Sequence, residues 1–152
     1  MNDPFDLRRF EAAQAPVYQG VLEELRRGRK REHWMWFVFP QIAGLGRSPT
    51  AQAFAIRSLD EAKAYLAHPV LGARLRECTR LVLALDGANA QDIFGSVDSL
   101  KFRSSMTLFA QASESEPTFA DALAKYFEGK TDTSTLEILR GTVEAPATRN
   151  DR

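Results

Sequence analysis

Leu71-Gly72-Ala73-Arg74-Leu75-Arg76-Glu77-Cys78-Thr79-Arg80-Leu81-Val82-Leu83-Ala84-Leu85 sets the fold class. Leu71, Leu75, Cys78, Val82 and Leu85 recur at alternating steps of four and three, which is a single apolar stripe on an α-helix. The spacing predicts that this helix starts at Pro69 and is the longest of the chain. Asp86-Gly87 ends it, and His68 reads as its helix-start residue. Cys78 falls on the stripe and reads as a buried, inert thiol.

The same helical signals extend in both directions. Upstream, Ser58 with Glu61 has the form of a capping box, and Leu59, Ala62, Tyr65 and Leu66 follow as an apolar face. Ser48-Pro49 opens a helix carrying Ala53, Phe54 and Ile56. Residues 17–27 carry Val17, Val21, Leu22 and Leu25 at helical spacing, with Gly28 as C-cap. Asp3-Pro4 reads as N-cap and first residue of a helix carrying Phe5, Leu7 and Phe10. Pro16 ends or restarts that helix.

Downstream, Asn89 caps a single turn through Ile93-Phe94 that Gly95 closes. A helix from about Val97 to Ala112 comes next, then a polar loop from Ser113 to Glu116. Pro117 opens a helix with Phe119, Ala122, Leu123, Tyr126 and Phe127 on one face. Asp132 or Thr133 caps a last helix carrying Leu136, Ile138 and Leu139. Only Trp34 to Phe39 has the character of an extended segment. The expected fold is all-α, a single compact domain over residues 1–141 with about seven or eight helices. Residues 142–152 are polar, without periodicity, and are expected to be a disordered tail.

Composition narrows the functional classes. The 152 residues hold twenty basic and twenty acidic side chains. Zero net charge argues against nucleic acid as a general partner, although a local basic patch is compatible with it. There is one cysteine, so no internal disulfide can form, which fits a reducing compartment. The longest uninterrupted apolar run, Trp34 to Phe39, is far short of the ~20 residues a membrane span needs. No signal pattern opens the chain, so the cytoplasm is the expected location and no membrane partner is expected. His33, His68 and Cys78 do not form a zinc spacing, so neither metal nor cofactor is expected.

Four segments carry possible chemistry. His33-Trp34-Met35-Trp36-Phe37-Val38-Phe39-Pro40-Gln41 holds both tryptophans. Its rings fill a core, or Trp34 or Trp36 forms a ligand wall beside His33, a candidate acid or base. Arg26-Arg27-Gly28-Arg29-Lys30-Arg31 is a solvated basic edge at a helix C-terminus, or a place where a few cations flank an anion. Gly44-Leu45-Gly46-Arg47-Ser48-Pro49 is a plain turn with an N-cap, or a phosphate cradle in which Gly44 and Gly46 admit the anion and Arg47 grips it. From Asp98 to Phe109, Asp98 can reach Lys101. The hydroxyls of Ser104 and Ser105 serve close helix packing or, with Lys101, a ligand.

These segments, together with Tyr65-Leu66-Ala67-His68-Pro69-Val70-Leu71-Gly72 and Phe94-Gly95, resemble one family over residues 5–140. It is an uncharacterised bacterial family with a domain of unknown function, to which automatic annotation sometimes attaches the label "calpastatin". The resemblance implies a mainly α-helical single domain and implies no settled catalytic residue.

The leading expectation from the residues is a small-ligand site, nucleotide-like in kind. It would lie where His33–Gln41 meets the Gly44–Ser48 loop and the Lys101 helix. Trp34 or Trp36 would stack on a ring, Arg47 and Lys101 would hold anionic groups, and Gln41, Gly44, Gly46, Ser48, Ser104 and Ser105 would line it. His33 and Asp98 are the acid–base candidates for a hydrolase or transferase acting on a nucleotide derivative. The rival is a non-enzymatic module that meets protein or nucleic acid through the basic edge. Nothing in the sequence speaks to oligomeric state.

Overall fold

The computed structural model describes residues 2–141. The tail expected to be disordered lies outside the described residues. The described chain is all-α, with helices α1 (Arg8–Gln14), α2 (Tyr18–Arg27), α3 (Met35–Val38), α4 (Pro49–Ala53), α5 (Leu59–Ala67), α6 (Leu71–Leu83), α7 (Ala90–Ala112), α8 (Thr118–Phe127) and α9 (Thr133–Leu139). The only strand-like pairing among the described residues is one parallel bridge between Ile42 and Ile56. No described helix is long and apolar enough to cross a membrane.

Helix α7 is the hub, packing against α3, α5, α8 and α9, while α6 packs on α2, α5 and α8. Phe102 and every residue from Ser104 to Phe109 is buried. A helix enclosed on all sides shows no amphipathic period. Two of its hydroxyls are satisfied locally: Ser104 Oγ donates to Leu100 O and Thr107 Oγ1 to Arg103 O. Thr107 Oγ1 also accepts from the Asp132 amide at the start of α9. Ser105 Oγ is the one buried side-chain oxygen without a partner among the described residues.

Local signals placed many helix ends. Gly28 is left-handed (φ 77°) after α2, Ser48 Oγ accepts from the Ala51 amide, and Asn89 and Asp92 form a reciprocal capping box. His68 Nδ1 accepts from the Val70 and Leu71 amides, so it does start α6. The structure corrects five expectations. The helix opened by Ser48-Pro49 ends at Ala53, so Ile56 lies off it and pairs with Ile42 in the bridge. The first helix begins at Arg8 and not at Pro4, because Asp6 is left-handed (φ 51°) and interrupts the turn that Asp3 caps. The Trp34–Phe39 run is not extended; its centre is the four-residue α3. The longest helix is α7 and not α6. The Ser58–Glu61 box is half made: Ser58 Oγ accepts from the Glu61 amide, but the Glu61 carboxylate is taken by the Arg57 amide and by Arg9.

The stripe on α6 is buried through Leu71, Leu75, Cys78 and Val82. Burial pushes the Cys78 thiol up to about 12. Thiolate is the reactive form, so iodoacetamide at pH 8 is expected to leave Cys78 unmodified in the folded chain and to label it in urea; labelling at equal rates would contradict the burial. Gly72 is in the first turn of α6, where a Cβ would lie 2.1 Å from the Leu66 carbonyl oxygen. Backbone must move to admit it, so Gly72→Ala is expected to destabilise the fold by about 1–3 kcal/mol. The check is a lower urea midpoint with an unchanged slope.

Candidate functional site

The site begins with how the chain leaves α2. Gly28 turns left-handed, its amide bonds Leu25 O, and the Arg29 amide bonds Glu24 O. This is a Schellman motif, and it reverses the chain direction. The Lys30 amide then bonds Ile93 O, which clips the loop to the first turn of α7. The buried Glu24 carboxylate completes the turn. Its Oε1 accepts from the Arg31 amide (2.8 Å), the Glu32 amide (3.2 Å) and the Trp34 indole N–H (2.9 Å).

That staple separates the two tryptophans. Trp34 is 2% exposed and packs near Phe39, which meets Phe94 and Phe102 edge-on in the core. Two residues on, Trp36 is half-buried. It lines an open hollow of about 390 Å³ with Lys30, His33, Gly95, Asp98 and Lys101. Gly95 breaks α7 here with φ 85° and ψ 167°, a region that glycine alone adopts without strain. The helix restarts after it with Asp98 in its first turn, where the dipole favours a carboxylate.

Asp98 organises the charges. Its Oδ2 is 2.8 Å from Lys30 Nζ and its Oδ1 is 3.4 Å from Lys101 Nζ. Each ammonium also lies over an indole, Lys30 5.1 Å from the Trp34 ring centre and Lys101 5.1 Å from that of Trp36. The Lys30 side chain is only 6% exposed, so Asp98 supplies the counter-charge that such burial requires. Among the side chains that line the hollow two cations face one carboxylate, an excess of one positive charge that Glu24, behind the lining, tempers at Lys30. An anion is attracted to that excess, and the half-buried Trp36 ring, with the Lys101 ammonium over it, lines the same hollow.

Of the residues singled out from sequence, the hollow holds His33, Trp36, Asp98 and Lys101. Gln41 and Gly46 meet Trp36 in a separate, nearly filled crevice beside Phe54. The others lie elsewhere. Trp34 is in the core, its indole N–H spent on Glu24. Gly44 (φ 105°) faces Ile138. Exposed Arg47 accepts a bond from Gln52 at its carbonyl, and Ser48 caps α4. Ser104 and Ser105 are inside the helix packing. The Gly44–Ser48 loop is therefore a turn with an N-cap: a five-residue helix whose amide is already capped offers no anion cradle. Sequence reasoning missed Lys30 and Gly95 as members of the hollow. Their signals were present, one in the basic run and one as the glycine after Phe94. Among the described residues no group of three or more His, Cys, Asp or Glu converges as a metal ion would need.

A family model described as "Protein of unknown function (DUF1810)" matches residues 4–139, and the chain belongs to that family. The resemblance drawn from the aromatic segment therefore holds. A crystal structure of the conserved hypothetical protein Rv1873 from Mycobacterium tuberculosis is similar, with 57% identity and a TM-score of 0.90. The match covers 91% of this chain and 99% of that one, so a bacterial relative shares the fold along its length. No curated protein matches.

Burial raises the Glu24 carboxyl, but the N–H groups of Arg31, Trp34 and Glu32, with the charge of Lys30, outweigh it and hold it below the usual glutamate value. A carboxyl with a lower pKa folded than unfolded stabilises at neutral pH, and that contribution is lost as pH falls through the folded value. Glu24→Gln is expected to cost about 1–3 kcal/mol at pH 7. The gap to the native chain should close as pH drops below about 4.3, the ordinary glutamate pKa. Urea titrations across that range check it; a gap independent of pH would place the stabilisation elsewhere.

Proposed function

We propose that the chain is a binding domain for a small anionic ligand carrying a planar ring, nucleotide-like in kind, held over Trp36. The observation that carries the reading is the pair of ammonium groups that Asp98 holds at the hollow, one of them over the half-buried Trp36 ring. Ligand pockets of about 300–1,000 Å³ are usual, and the hollow, about 390 Å³, falls in that range. Lysine is a point-charge partner for phosphate. A phosphate oxygen near Lys101 adds a second anion to a centre that has an excess cation, and the ring stacks on Trp36 as Lys101 turns from the indole to the phosphate.

Within this reading Asp98 positions the lysines, since both its oxygens are engaged by ammonium groups. His33 is exposed and lines the hollow. It is the side chain in position to move a proton, so hydrolysis or group transfer on a bound nucleotide derivative would run through it. His33→Ala separates the two roles by keeping binding and losing turnover.

A thermal-shift panel of nucleotides, dinucleotides and sugar phosphates tests the binding. A ligand at about 100 times its Kd adds about 2.7 kcal/mol, a rise of roughly 5–10 °C for a chain of this size. Trp36→Leu and Lys101→Gln are each expected to weaken binding about tenfold or more, which is 1.4 kcal/mol. A panel without any shift, or a shift unchanged in both variants, would sink the proposal.

A further inference from the structure

The hollow over Trp36 continues past Lys30. A second cavity, of about 640 Å³, adjoins it and is lined by Arg27, Arg29, Gln91 and Asp92. The two share Lys30, Phe94 and Gly95. Gly95 brings no side chain to that seam, and a Cβ built on it would meet nothing within 4 Å. Space is therefore left where the two cavities adjoin, and together they read as one groove.

Charge is uneven along the groove. Arg27, Arg29, Lys30 and Lys101 line it against two carboxylates, Asp92 and Asp98. Both carboxylates are already engaged, Asp92 with the Asn89 amide in a capping box and Asp98 with the two lysines. Arg27 and Arg29 are exposed. Their backbone is held by the left-handed Gly28 between them. The α2 dipole accounts for a cation at Arg27, in the last turn, but does not ask for one at Arg29, beyond the turn. A mononucleotide at the Trp36 end would use Lys30 and Lys101 and leave both arginines idle.

We infer that the groove takes a nucleoside bearing an extended phosphate chain, with the ring over Trp36, the chain crossing Lys30 and its far end at Arg27 and Arg29. This rests on the binding reading above and names its ligand class. A nucleoside triphosphate and a pyrophosphate-linked dinucleotide share this chemistry; in the second, a further nucleoside occupies the wider cavity.

The test is calorimetric titration of the native chain and of the double variant Arg27→Gln/Arg29→Gln. The probes are the mono-, di- and triphosphates of the four common ribonucleosides, a pyrophosphate-linked dinucleotide and a mixed-sequence single-stranded RNA. Affinity is expected to rise about tenfold or more from the monophosphate to the triphosphate or the dinucleotide. Which of those two binds tighter tells them apart. The double variant should erase the gain while keeping monophosphate affinity within about twofold. Equal affinity for all chain lengths, or equal loss for mono- and triphosphate in the double variant, overturns the inference and leaves the Trp36 site standing. RNA binding tighter than every free nucleotide, with steep salt dependence, overturns it in favour of a nucleic-acid groove. If no nucleotide binds at all, both readings fall together.

Discussion

The Glu24 carboxylate accepts three N–H groups from the loop that follows α2, and the geometry of the hollow depends on it. A buried carboxylate costs several kcal/mol in lost hydration. Here the loss is offset by donors that have no other partner among the described residues: two backbone amides at a chain reversal and one buried indole. Because the same residue's carbonyl receives the Arg29 amide, one glutamate terminates its own helix and anchors the next turn. Trp34 is thereby drawn into the core and Trp36 is left at the edge. Lys30 is pinned where it can reach Asp98. Without that anchor the five basic residues from Arg26 to Arg31 would be an ordinary solvated edge.

The second half of the frame is α7. Its middle is enclosed on all sides, so hydroxyl residues there serve close approach, and Ser104 and Thr107 bond back onto their own helix. Its start is different. Gly95 interrupts the helix, and the restarted turn brings Asp98 and Lys101 to the surface beside Trp36. A continuous helix through residue 95 would carry those two side chains round its axis, because each residue advances the face by a fixed angle. The break is what aligns a core helix with an open hollow.

Much of this was legible from residues alone, and the boundary is physical. Ser48, His68, Asn89 and Asp132 accept from amides within a few positions, and the left-handed Gly28 donates its own amide to Leu25 O, so their roles follow from local spacing. Glu61 was misread, and the choice between Trp34 and Trp36 stayed open, because their partners are remote in sequence: Arg9 claims Glu61 and Glu24 claims the Trp34 indole. Asp98 with Lys101 was readable as an i,i+3 pair. Lys30 was not, since a run of like charges does not say which side chain turns inward. Dense aromatics hid the period of α3, which at four residues is barely one turn. The glycine-rich loop carried a phosphate-cradle signal that its own serine cap had already consumed.

The bond from the Lys30 amide to Ile93 O has a consequence for the order of assembly. It joins segments between which α3, α4, α5 and α6 must first be laid down. Closing so long a loop is entropically costly and comes after local helices have formed. The groove is thus made only where two segments distant in sequence meet, and neither supplies its lining alone. Whatever part of such a contact is absent from the folding transition state acts on the unfolding rate rather than on the folding rate. In that case a bound ligand lengthens the lifetime of the native chain without hastening its formation.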